Sequence, residues 1–599
     1  MPDLPNQSLD LRLQKLQSWK KESYDLRTSK DNRIAKNLKL MKGIWSDQTQ
    51  TKSKITGKNK TFFRKIWSTV WRLTATMYQA YMKDPESFKI SGRDLINDPR
   101  KAKVLQILTR YRKDVMMDTG NLFLKFIWAI INILTNGWTC GKLSWNPITD
   151  QSEFTLYPWE QVFPDMVAET DDKMRFITFL NYLTVDQMFD MGYPVTDVIP
   201  TAPETNQVRS VRFWNDIDPQ VANRTPATYT GVGNAPTGGL YPRPGSAPDT
   251  QKVDHVKRYN VFESFWKDDG KIWYAVSLDF RHFLVEPMLS PYGDGSRPTD
   301  RFPIVTGQCL TEPHKLIGEG MPEPLEGPQE SFNHNMGMRK DNVASSMAGH
   351  MFVSRYGGVD IGSLTRRRVN GVTMMDDITA VKHEIVPDVT QTAYIEARAD
   401  ESMMNEMSGD TEAFRGQQKP EIKATTAKLN FQQSNTKPEL YVAIVGETFF
   451  KRFHMELARQ IQMFETDENS LRIANEELRQ KEGGGPYDDI YNLDFNANCT
   501  MEIGAALTGQ GPMVQQTLLV LNTANQSLAS IASLAQLGAI PKEGIKIPNI
   551  AAIFEDLMPL LGHRDIERYT ITIPPPQAPA GGAPGVASQP RQGQISDTA

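Results

Sequence analysis

The segment from Pro322 to Met347 most restricts what this chain can become. It reads as a helix, yet its apolar positions, Phe332, Met336, Val343 and Met347, form only a thin stripe, while Asn333, Asn335, Arg339, Lys340 and Asn342 occupy most of the remaining surface. A helix that is polar around most of its circumference has too little apolar face to dock alone on a core. It must pack against copies of itself or line a solvent-filled space. A short β segment follows, Met351-Phe-Val-Ser-Arg-Tyr356 with Val369-Asn-Gly-Val-Thr-Met-Met375, in which Asn370-Gly371 is a hairpin signal. A second helix is predicted from Val389 to Met407 and closes at Ser408-Gly409. Its methionines, Met403, Met404 and Met407, offer either an adaptable face or an ordinary packing surface.

On the N-terminal side, the pattern is helical and amphipathic from Leu11 to about Met41, and Phe62, Phe63, Ile66, Trp67, Val70 and Trp71 then recur at helical spacing. One long helix is predicted from about Lys101 to Thr135, ending at the C-cap pair Asn136-Gly137. The period then changes to two. Trp138–Trp145 and Glu153–Tyr157 read as paired strands, and Tyr259–Trp266 and Ile272–Ser277 as a hairpin turning at Asp269-Gly270. Between these pairs, Thr201–Thr250 is rich in Pro, Gly, Thr and Asn without apolar period, as in a long loop or insertion.

On the C-terminal side, Asp410–Glu421 is a polar loop, and a long helix kinked by Pro438 carries Val442, Val445, Phe449, Phe453, Leu457, Ile461 and Phe464 on a core face. A strand near Cys499–Ile503 and helices between Met513 and Leu561 complete the folded part. The tail from Pro574 to Ala599 has the composition of a disordered segment.

The chain has 599 residues, 39% of them hydrophobic, which is enough for several buried cores. Its longest apolar run, Phe126–Leu134, is about half of the roughly 20 residues that cross a bilayer, so it reads as a buried helix, and no membrane role or export signal is expected. A formal net charge of -4 argues against a tight duplex-DNA binder, because that affinity rests on phosphates neutralised by Lys and Arg. The first sixty residues are nonetheless basic, with Lys20, Lys21, Lys36, Lys39, Lys42, Lys52, Lys54, Lys58 and Lys60; they form either a solvated face or a surface that meets DNA or an acidic partner.

Catalytic signatures do not emerge. Cys140, Cys309 and Cys499 are far apart and read as buried thiols, and the eight histidines show no metal-ligand spacing, so neither a metal nor a cofactor is implied. Gly137-Trp-Thr-Cys-Gly-Lys-Leu143 misses a phosphate-binding loop by one residue between its glycines and by Leu in place of Ser or Thr. The carboxylate pairs Asp268-Asp269 and Asp376-Asp377 sit in turn-like contexts.

Several segments, taken in order, resemble the portal proteins of tailed bacteriophages, especially the short-tailed ones. They are Leu134-Thr-Asn-Gly-Trp-Thr-Cys-Gly-Lys-Leu-Ser-Trp145 with Leu156-Tyr-Pro-Trp-Glu-Gln-Val-Phe-Pro-Asp165, then Arg301-Phe-Pro-Ile-Val-Thr306 with His314-Lys-Leu-Ile-Gly-Glu-Gly320 and Pro328-Gln329, and finally Ser408-Gly-Asp-Thr-Glu412 with Ala424-Thr-Thr-Ala427. The similarity runs from about Phe62 to Leu561, and the insertion at 201–250 departs from it.

The resemblance implies an α+β, mainly helical portal fold. Its regions would be a basic N-terminal segment (1–60), a wing (61–321), a first stem helix (322–347), a clip (348–388), a second stem helix (389–407), a tunnel loop (408–423), a long helix returning to the wing (424–510), a helical crown (511–570) and a tail (571–599). It further implies a non-enzymatic subunit of a dodecameric ring at one capsid vertex of the virion, assembled in the host cytoplasm. Double-stranded DNA would pass through the channel, and the terminase, major capsid, scaffolding and tail adaptor proteins would be partners. On this mapping Arg339, Lys340, Arg398, Arg415, Lys419 and Lys423 come nearest to DNA, or bridge subunits. Arg366, Arg367 and Arg368 would meet the motor or the adaptor, or a neighbouring subunit. The competing readings are another head-to-tail connector or tail-tube ring, and a nucleic-acid processing enzyme with dispersed carboxylates.

Overall fold

The computed structural model describes residues 9–45, 61–82, 88–92, 99–146, 149–194, 258–293, 295, 300–348, 350–356, 358–362, 376–377, 379, 381–384, 390–409, 436–465, 468–482, 493 and 495–501. The chain divides into two units, Met1–Leu507 and Thr508–Ala599, and every described residue belongs to the first. The predicted insertion at 201–250, the helices after Met513 and the tail lie outside the described residues.

Helix α1 (Leu9–Lys42) and helix α2 (Lys65–Tyr81) precede strand β1 (Phe88–Gly92). The basic residues of α1 are largely spent inside the molecule. Arg27 Nη1 donates to Val162 O at 2.6 Å, Lys30 Nζ donates to Gly318 O at 3.2 Å, Arg33 pairs with Glu323 at 2.6 Å, and Lys36 pairs with Glu326. This helix is thus a strut bound to its own chain, a use that its charge pattern alone does not reveal. The lysines at 52–60 lie outside the described residues.

The single helix predicted for Lys101–Thr135 is two helices, α3 (Pro99–Thr119) and α4 (Leu122–Asn136), which meet at 92°. The break falls at Asn121, whose φ of 51° is left-handed, a conformation that Asn tolerates better than most residues. Apolar spacing continues on both sides, so periodicity gave no warning. Among the described residues no single helix is long and apolar enough to cross a membrane. The C-cap forms as expected: Gly137, at φ +80°, donates its N–H to Ile133 O at 3.0 Å, and a Cβ there would lie 2.4 Å from Gly318 O.

Strands β2 (Trp138–Asn146) and β3 (Gln151–Tyr157) pair as predicted. Next come β4 (Val162–Pro164), β5 (Phe176–Thr184), the short helix α5 (Val185–Asp190), β6 (Arg258–Asp268), β7 (Lys271–Leu278), β8 (His282–Leu289) and β9 (Ile304–Gln308). They form a five-stranded antiparallel sheet, β4-β5-β6-β7-β8, and a three-stranded one, β3-β2-β9. The β6–β7 hairpin turns at Asp269 and Gly270, both at positive φ. In the near-miss phosphate loop, Gly141 makes room for the Phe154 ring, whose carbons would lie 2.4 Å from a Cβ there. Packing accounts for that glycine.

Helix α6 (Pro322–Ala348), the hairpin strands β10 (His350–Val353) and β11 (Val381–Glu384), and helix α7 (Thr390–Ser408) follow. The partner of the first hairpin strand is therefore Val381–Glu384; the predicted partner, 369–375, lies outside the described residues. The last elements among the described residues are α8 (Thr436–Val445), a π turn (Gly446–Phe450), α9 (Lys451–Phe464), α10 (Glu468–Glu482) and β12 (Ala497–Met501), which pairs antiparallel with β1.

Pro438 lies in the first described turn of α8, and the residues before Thr436, across which the predicted kink would fall, lie outside the described residues. Within the described part of this segment the departure from α geometry is the π turn. The wider turn lets the consecutive residues Phe449 and Phe450 both enter the core. Phe450 stacks on Tyr81 with centroids 4.1 Å apart, and Phe449 meets Phe126 edge-on at 6.1 Å. Phe453, Leu457 and Ile461 continue that buried face as expected.

Candidate functional site

The polar helix α6 is held by partners remote in sequence. Arg64, the N-cap residue of α2, provides no side-chain hydrogen bond to the first amides of its helix. Gln329 of α6 supplies one instead: its Oε1 accepts from Lys65 N–H at 3.0 Å and Ile66 N–H at 3.1 Å, while its Nε2 donates to Phe63 O at 2.7 Å. One turn on, Asn333 Oδ1 accepts from Phe63 N–H at 2.8 Å. Both side chains are buried, so Asn333 is no part of a solvated face, contrary to the reading of α6 as wet on most sides.

Helices α6 and α7 pack side by side through small and polar groups. Asp400 accepts from Ser331 Oγ at 2.9 Å and from Asn335 Nδ2 at 3.0 Å, and Ala397, Met404 and Ser408 are buried. Lys65 Nζ reaches Glu401 at 2.6 Å, so α2 is tied to both helices. Met403 and Met407 remain exposed, which separates them from Met404.

Of the candidate charges, Arg339 and Arg398 come together. Their guanidinium carbons lie 5.1 and 4.7 Å from the Tyr394 ring centroid, and neither forms an ion pair among the described residues. Tyr394 and Arg398 are one helical turn apart on α7, while Arg339 comes from α6. Tyr394 was not singled out from sequence; its i, i+4 spacing to Arg398 on a polar helix was the available signal. Lys340 turns elsewhere, donating to Thr61 Oγ1 at 3.0 Å and resting over the Phe63 ring at 4.9 Å. Arg366, Arg367, Arg368, Arg415, Lys419 and Lys423 lie outside the described residues.

Two unneutralised guanidiniums beside an exposed ring can receive a phosphate or carboxylate oxygen, but they supply no nucleophile and no general base. Near the hairpin, Tyr356 and Ile361 are 94% and 63% exposed. Among the described residues no group of three or more His, Cys, Asp or Glu side chains is placed to hold a metal ion. The three cysteines are buried and unpaired with one another.

No curated protein matches the chain. A family model described as the Phage SU10 portal protein matches residues 295–595, a span of half the chain that takes in α6, the hairpin and α7. The chain therefore belongs to the phage SU10 portal protein family, a portal family of the short-tailed phage type.

Proposed function

We propose that the protein is the subunit of a dodecameric ring at one capsid vertex, through which double-stranded DNA is packaged and later ejected. The observation that carries this reading is the helix–hairpin–helix excursion α6–β10–β11–α7 inside the family match. In the ring, α6 and α7 are the stem helices, residues 348–388 the clip and residues 408–423 the tunnel loop, between the wing (61–321) and the crown (511–570). The clip docks the terminase motor and afterwards the tail adaptor, with Arg366, Arg367 and Arg368 as contacts. Scaffolding and capsid proteins surround the ring.

The sparse charge of the stem suits a channel. Each saturated phosphate contact would add to a barrier at every step of the moving duplex, so a few unpaired guanidiniums serve better than a basic patch. Arg339 and Arg398 meet that description, with Arg415, Lys419 and Lys423 as further lumen candidates. Electron microscopy of the purified full chain, averaged down the symmetry axis, tests the proposal. A ring with a central channel and twelvefold symmetry is expected; monomers or dimers at all salt and protein concentrations would sink it.

A further inference from the structure

Helix α2 carries an aromatic stripe that the described chain covers only at one end, where the Arg64 guanidinium rests 5.7 Å over the Trp67 ring. Trp67, Trp71 and Tyr78 share one face, the two tryptophans 6.0 Å apart, and Tyr78 meets Phe123 of α4 edge-on at 5.9 Å. These four side chains are between 36% and 44% exposed. Given the area of aromatic side chains, they leave roughly 400 Å² of apolar surface in water. That is half of the about 800 Å² that each partner contributes to a standard interface.

A second apolar ridge runs along α7. Ile395, Ala399, Met403 and Met407 recur every four residues, winding from the side of the helix away from α6 towards its flank, and all are exposed, Ile395 at 59% and Met403 at 54%. Methionine and small residues form an adaptable surface that accepts aromatic rings.

The ion pair between Lys65 and Glu401 orients the two features. Trp67 lies two residues beyond Lys65, and Ala399 and Met403 lie two residues to either side of Glu401. Two residues turn about 200° around a helix, so each apolar feature faces away from the contact that joins α2 to α7. The stripe and the ridge are therefore on opposite sides of one subunit. A closed ring of identical subunits needs this arrangement, because a head-to-tail interface joins two different surfaces of the same chain.

Resting on the ring reading above, we infer that the aromatic stripe of α2 and α4 in one copy docks on the Ile395–Met407 ridge of α7 in the next. The test uses the full chain with Trp71→Cys and Met403→Cys combined, whose native cysteines are all buried. Mild oxidation of the assembled protein is expected to yield a ladder of covalent multimers, which neither single variant gives. In parallel, Trp67→Glu with Trp71→Glu is expected to raise the concentration needed for assembly at least about tenfold by sedimentation velocity, with the circular dichroism spectrum unchanged. If the wild type forms rings while the double cysteine variant gives no ladder or only an internal cross-link, the inference is wrong and the ring reading stands. Normal assembly of the glutamate variant overturns it equally. A wild-type chain that never assembles removes both.

Discussion

Gln329 caps a helix to which it does not belong: its Oε1 lies 3.1 Å from the backbone N of Ile66, 263 positions earlier in the chain. Three hydrogen bonds from this one buried amide join α6 to the start of α2. Gln329→Leu would strand the Ile66 N–H and leave Lys65 N–H and Phe63 O only their 3.0 Å bond to each other, costing about 1–3 kcal/mol. Hydrogen exchange is the sensitive readout, and the amides of Lys65 and Ile66 should exchange faster while those of α9 are unaffected.

A buried ion pair ties the two larger sheets together. Lys142 of β2 and Glu263 of β6 are 2.5 Å apart, with side chains 12% and 7% exposed. Burial opposes the lysine charge, but the Glu263 carboxylate outweighs it and holds the Lys142 pKa above the usual range. Glu263→Gln leaves that charge uncompensated and should destabilise the sheets by about 3–5 kcal/mol in denaturant unfolding. Lys142→Met combined with Glu263→Leu should recover most of the loss.

His454 sets an acid limit on stability. It is buried, its ring stacks on Phe88 at 4.0 Å, and its Nδ1–H donates to Phe450 O at 2.7 Å. Burial, aided by the charge of Lys113, pushes its pKa down to about 3. The unfolded chain takes up this proton near pH 6.5 and the folded one does not, so the stability contribution is complete above about 6.5 and is lost progressively as pH falls towards 3. Thermal midpoints measured across that window should fall with acidification, and less steeply in His454→Phe.

Arg339→Ala with Arg398→Ala removes both guanidiniums from Tyr394. The packing of α6 on α7 should survive, since each exposed cation–π contact is worth only about 0.5–1 kcal/mol. If these groups face passing DNA, retention of duplex by the assembled ring should become weaker and less salt-dependent in a filter-binding titration. An unchanged salt slope would assign them to contacts between subunits.

Strong local signals were legible in the chain. The helix ending at Gly137, the Asp269-Gly270 hairpin and the buried face from Phe449 to Ile461 each rest on residues close in sequence, where period and turn chemistry act directly. What escaped depends on partners far away. Asn333 looks solvated until the amide of Phe63, 270 positions earlier, is brought to it. The elbow at Asn121 leaves the apolar period intact, and the π turn adds only part of a residue to one turn, too small a shift to break the spacing of Val442, Val445, Phe449 and Phe453. The pairing of Arg339 with Arg398 needed the register of α6 against α7, which composition does not encode.

The antiparallel pairing of β1 with β12 also dictates a timetable. Lys89 and Thr500 touch across 411 positions, so the strand that follows α2 can rest early on α3, where Gln106 Nε2 donates to Phe88 O at 3.4 Å, but has no strand partner until nearly the whole described chain has left the ribosome. Until then β1 lacks only its hydrogen-bonded strand neighbour. A chain truncated before β12 would thus leave an open strand edge near its N-terminal end, a template for pairing with other chains.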